Sequence, residues 1–75
     1  RVMGEWVAEV RHSGNLVVLR TPPGCAHVVA SALDRSAMNG LLGTVAGDDT
    51  LLCVADEDMG GAAMADHLRD LAGLQ

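Results

Sequence analysis

Gly47-Asp48-Asp49 places two carboxylates side by side at a glycine-containing turn. Neighbouring carboxylates repel each other and add nothing to an apolar core. The pair is therefore either ordinary turn chemistry or a receptor for a cation. A divalent metal would want more oxygen or nitrogen donors close by, and Thr44 and Thr50 are weak ones. A guanidinium suits the turn better, because its planar N–H fork matches carboxylate oxygens in pairs. Upstream, Thr21-Pro22-Pro23-Gly24 reads as the entry to a helix, where amides at Gly24, Cys25 and Ala26 can hold an anion such as a carboxylate. His27 and Asp34 are seven residues apart, two turns along one polar helix face, with Ser31 between them. Ordinary solvated helix polarity explains that spacing. So does a receptor in which Asp34 takes an ammonium group. Helix amides, Asp34 and the acidic turn together would satisfy a zwitterion with a basic side chain.

Catalysis has little support. Cys25 at a helix entry with His27 two residues on resembles an activated thiol, but residues i and i+2 on a helix do not face each other. The chain is read as a non-enzyme. His12 and His67 read as surface residues, Asp66 with Asp70 as a solvated acidic face, and Met59 with Met64 as core fillers. Cys25 and Cys53 stand apart without a CxxC, so neither a zinc site nor a disulfide framework is expected, and a reduced cytoplasmic setting is.

Seventy-five residues make one small domain, spanning 1–75, near the lower limit for a self-sufficient hydrophobic core. Hydrophobic residues form 49% and charged ones 20%, which excludes disorder. Trp6 is the sole aromatic, so base-stacking platforms and aromatic cages are excluded. Ten acids against five arginines give a net charge of −5, a poor match for phosphate backbones and a better one for a cation. No apolar run reaches the roughly 18 residues of a membrane span, and no signal pattern opens the chain. Because the chain starts at Arg1 rather than Met, it is expected to be part of something longer.

Positioning these groups requires a frame. Between residues 2 and 10 the even positions Val2, Gly4, Trp6, Ala8 and Val10 alternate with charged ones, broken by Met3 and Val7, which predicts a half-buried strand. Ser13-Gly14-Asn15 supplies a hairpin turn, and Leu16-Val17-Val18-Leu19 a central strand. Ala26, Val29, Ala30, Leu33 and Ala37 define a helix stripe, closed by Asn39-Gly40 as a left-handed cap. Residues 41–46 and 50–55 form a second hairpin around the acidic turn. Asp56 or Asp58 then caps a last helix buried through Gly61, Met64, Ala65, Leu68, Leu71 and Ala72, its first turn weakened by Gly60-Gly61. The expected fold is α+β: a two-layer β-β-α-β-β-α sandwich, with a four-stranded antiparallel sheet and two helices on one face. Residues 16–19 and 51–54 are apolar at both parities, so the far sheet face needs cover that a monomer lacks, and subunit association follows.

The segments Asn15-Leu16-Val17-Val18-Leu19-Arg20-Thr21, Pro23-Gly24-Cys25-Ala26-His27, Ala30-Ser31-Ala32-Leu33-Asp34 and, above all, Leu42-Gly43-Thr44-Val45-Ala46-Gly47-Asp48-Asp49-Thr50 resemble the C-terminal domain of bacterial arginine repressors. The resemblance covers a little over half of the chain. It implies trimers that stack into a hexamer, with L-arginine as corepressor at the trimer–trimer interface and no other cofactor. It also implies a preceding winged helix-turn-helix domain, absent from this chain, through which DNA is bound. Carried over by position, the paired aspartates are Asp48 and Asp49. Helix contacts fall on Ala26, His27 and Asp34, and strand contacts on Thr44 and Ala46. His27 stands where the family commonly has glutamine, and Cys25 replaces a small residue. The expected role is thus effector sensing and oligomerisation in an arginine-dependent repressor of arginine metabolism genes. The alternative is a purely structural oligomerisation domain with a degenerate site.

Overall fold

The computed structural model describes residues 2–74. It contains a four-stranded antiparallel sheet of β1 (Glu9–Ser13), β2 (Leu16–Arg20), β3 (Leu41–Ala46) and β4 (Thr50–Ala55), in the order β1-β2-β4-β3. Helices α1 (Val2–Trp6), α2 (Ala26–Ser36) and α3 (Gly60–Ala72) accompany it. The α+β class and the β-β-α-β-β-α succession hold, preceded by one extra helical turn.

The sheet buries alternate residues. Val17 and Leu19 on β2, with Leu51, Cys53 and Ala55 on β4, are fully buried beneath the helices. Val29 and Leu33 of α2 and Met64 and Leu68 of α3 meet them from above, each buried aliphatic side chain stabilising the fold by about 1.5–3 kcal/mol. Helix α2 lies over β3 and β4, α3 over β1 and β2, and α1 packs on both helices. On the opposite face Val18, Leu52 and Val54 are only half-buried, and Leu16 and Val45 are exposed. The apolar second face expected from the sequence is therefore present and open. Among the described residues no helix is long and apolar enough to cross a membrane.

Four expectations need correction. The strand expected over residues 2–10 is helix α1 followed by a shorter strand. The side chains buried there are Met3 and Val7, which had broken the alternation, whereas Gly4, Trp6 and Ala8 are exposed. Their spacing of four is a helical turn, closed by the Val7 amide on the Met3 carbonyl at 3.0 Å. Second, α2 ends at Ala37 (φ +51°) rather than at Asn39-Gly40. Ala37 is exposed, and Gly40 (φ +83°) instead turns the chain into β3. Third, Leu71 lies off the buried stripe of α3, 45% exposed.

Neither expected cap stands at the helix boundary either. Met59 occupies the N-cap of α3, while Asp56 accepts the Met59 amide through its carboxylate at 2.8 Å, steadying the preceding turn. Within the Gly60-Gly61 pair, Gly61 has a positive packing role. The Gly61 amide donates to the Gly14 carbonyl at 2.8 Å, and a Cβ at Gly61 would lie 2.6 Å from that same oxygen and 2.9 Å from the Leu16 carbonyl. Only glycine lets the helix start this close to the first hairpin.

Candidate functional site

The acidic turn at 47–49 joins β3 to β4 and is held through its main chain. The Asp48 carbonyl accepts the Gly24 amide at 3.1 Å and the Ala26 amide at 3.2 Å. The Asp49 carbonyl accepts the Thr21 amide at 2.8 Å, and the Gly47 amide closes the turn on the Thr50 carbonyl at 2.8 Å. The turn is thus docked on the α2 entry without using its carboxylates. The same bonds change the expectation for that entry. Gly24 and Ala26 already donate to Asp48, and Cys25 donates to the Pro22 carbonyl at 3.1 Å, so these three amides are engaged within the chain rather than free for an anion.

Asp48 is exposed, and its carboxylate has no partner in the chain among the described residues. Asp49 differs. One oxygen accepts the Thr50 hydroxyl at 2.9 Å, and the other lies 3.5 Å from Nη2 of Arg20. Arg20 is the cross-strand partner of Thr50, which brings its guanidinium beside the turn. The sequence reading assigned Arg20 no role; its place at a strand end opposite the residue after Asp49 was the available signal.

On the helix side of the sheet edge, Thr44 and Asp34 come together, the Thr44 hydroxyl donating to the Asp34 carboxylate at 3.2 Å. Thr44 faces α2 because it pairs with the inward Cys53. Burial pushes the Cys53 thiol up to about 12, and the Asp34 carboxylate adds to the shift. His27 is exposed on the first turn of α2 and Ala46 at the end of β3, whereas Ala26 is fully buried with its amide given to the Asp48 carbonyl. Between His27 and Asp34, Ser31 accepts Nη1 of Arg35 at 2.7 Å, a second guanidinium that the sequence reading left unassigned. Among the described residues, no group of three or more His, Cys, Asp or Glu side chains could hold a metal ion.

Taken together, the molecule is an open-faced α+β sandwich with exposed carboxylates at one sheet edge, the helix entry and the acidic turn locked to each other. The family model of the arginine repressor C-terminal domain matches residues 3–70, and the chain belongs to that family. The family is one of transcriptional regulators rather than of catalysts.

Proposed function

We propose that this domain senses L-arginine and assembles subunits in an arginine-dependent repressor of arginine metabolism genes. The observation that carries the reading is Asp48: an exposed carboxylate, unpaired among the described residues, on a turn whose position its own carbonyl fixes. A receptor held in place before the ligand arrives loses little entropy on binding. In this reading Asp48 and Asp49 receive the guanidinium and Asp34, steadied by Thr44, receives the ammonium group. His27, Ala26, Thr44 and Ala46 complete the surroundings of the ligand.

The open sheet face supports association, since Val18, Leu52 and Val54 lack a covering layer. We place trimers there, two of which stack into a hexamer with arginine between them. Facing trimers would crowd like-charged aspartates, and a cationic ligand turns that repulsion into bridging. Because arginine then favours the hexamer, mass action couples its concentration to assembly. DNA contact falls to a separate winged helix-turn-helix domain of the full protein in the cytoplasm, in keeping with the net charge of −5 here.

Titration calorimetry with arginine, citrulline and lysine, beside sedimentation with and without arginine, tests this reading. Arginine is expected to bind and raise the assembled mass. Citrulline, which keeps the shape and loses the charge, is not. An assembled protein that binds none of the three would be a structural oligomerisation domain with a degenerate site.

A further inference from the structure

The sheet ends differently at its two edges. At the β3 edge the register breaks between Leu41 and Gly43, an irregularity of the kind that bends a strand away from would-be partners. The β1 edge has no such break, since Glu9 to Ser13 pair with β2 residue for residue and include no proline. Ser13 and Leu16 close a two-residue turn, so the main chains of Glu9, Arg11 and Ser13 bond to β2 and those of Val10 and His12 face outward. Arg69 of α3 reaches this edge. Its Nη2 donates to the Val10 carbonyl at 3.0 Å, and its Nη1 to the Asp66 carboxylate at 3.1 Å. We propose that Arg69 is an autoinhibitory clasp on the β1 edge, and that its removal lets a second copy of this chain add its own β1 antiparallel, centred on Val10. The clasp is independent of the ligand-sensing reading.

The charges on β1 select the occupant. Two β1 strands paired antiparallel about Val10 set Glu9 opposite the partner's Arg11, and Arg11 opposite the partner's Glu9. Both pairs fall at the close, non-hydrogen-bonded positions, where opposite charges attract. Within the chain the same two side chains meet only loosely, at 3.6 Å and well exposed, so they remain available to a copy. Charge on an edge strand ordinarily repels a second strand, whereas here it invites one. The new ladder would run through the Val10 carbonyl, and Arg69 already stands there. Of the two outward-facing residues only His12 is then left, and one residue makes no ladder. The guanidinium keeps its post because Asp66, one helical turn back, holds its other arm, and a charge-assisted bond to the carbonyl outweighs the neutral amide bond that would replace it.

The test is sedimentation velocity on the wild type and Arg69→Ala over a range of concentrations, with far-UV circular dichroism to confirm each fold and hydrogen exchange to follow the Val10 amide. Arg69→Ala should form species heavier than the wild-type assembly, in proportions that grow with concentration. Its Val10 amide should exchange about tenfold more slowly than in the wild type, because a partner carbonyl now accepts it. Adding Arg11→Glu to Arg69→Ala places carboxylates opposite one another and should return the mass to that of the wild type. Should Arg69→Ala fail to fold, Asp66→Ala, which releases the guanidinium from its anchor, is read by the same two measurements. A folded variant whose mass and Val10 exchange match the wild type overturns the clasp. So does a heavier species that survives Arg11→Glu, since it would be held by some other surface.

Discussion

Thr44 on the edge strand donates its hydroxyl to the carboxylate of Asp34 on α2 across 3.2 Å, joining sheet and helix where the two elements flank the candidate site. The contact is exposed, so its contribution to folding is small, about 1 kcal/mol or less. Its effect falls on the orientation of Asp34. Asp34→Asn is expected to lower arginine affinity by about tenfold or more, the size of a lost charge-assisted bond, with Thr44→Val costing less. Calorimetry on both variants checks the order, and equal affinity in all three proteins would remove Asp34 from the site.

The two aspartates of the turn are expected to separate in the same assay. Asp48→Asn should weaken arginine binding by about tenfold to a hundredfold and erase discrimination against citrulline. Asp49→Asn should weaken it less, because Asp49 already engages Thr50 and Arg20. Unfolding free energies should move by less than about 1 kcal/mol in both variants, since the turn is held by main-chain bonds. Sedimentation should show arginine-dependent assembly impaired in parallel.

Much of this frame is legible in the residues. Leu41 to Ala55 reads as a hairpin because two apolar runs flank Gly47-Asp48-Asp49, and its bounds match β3 and β4. Asp34 and Thr44 were each singled out as candidates, and they do meet. The first ten residues misled because Val2, Trp6 and Val10 fit a period of two as readily as one of four. Which period is realised depends on where Met3 and Val7 pack, a tertiary fact. The engaged helix-entry amides were invisible for a similar reason. Asp48, which accepts the Gly24 and Ala26 amides, lies more than twenty residues downstream, and no local spacing announces it.

On the open sheet face, Val45 is 66% exposed and pairs with Leu52 on the side away from the helices. Val45→Glu should reduce the assembled mass in sedimentation velocity while leaving the far-UV spectrum unchanged. An unchanged mass would move the association surface elsewhere.

Gly61→Ala sets two effects against each other. Helix propensity favours alanine by up to about 1 kcal/mol. Close approach to two backbone oxygens opposes it by about 1–3 kcal/mol, as in other overpacked sites. Steric conflict is expected to win, and urea unfolding should show net destabilisation. A more stable variant would show that the hairpin yields easily to α3.

Cys53 should resist thiol reagents at pH 8 in the native protein and react only on unfolding, while the half-buried Cys25 reacts first. The raised thiol also fixes a sign. Above its ordinary value of 9.0 the unfolded chain loses this proton before the folded one does, so stability falls as pH rises from 9 towards 12, by up to about 1.4 kcal/mol per pH unit. Unfolding curves of wild type and Cys53→Ala across that range check it, and the variant should show the flatter slope.

The acidic loop's shape depends on peptide groups and hardly at all on the side chains it displays. Substitutions at His27, Asp34 and Asp48 can therefore recast the chemistry of the candidate site while the loop stays where it is. A combinatorial library confined to those three positions is a rational route to variants that respond to a different amino acid, with the scaffold supplying the same loop each time.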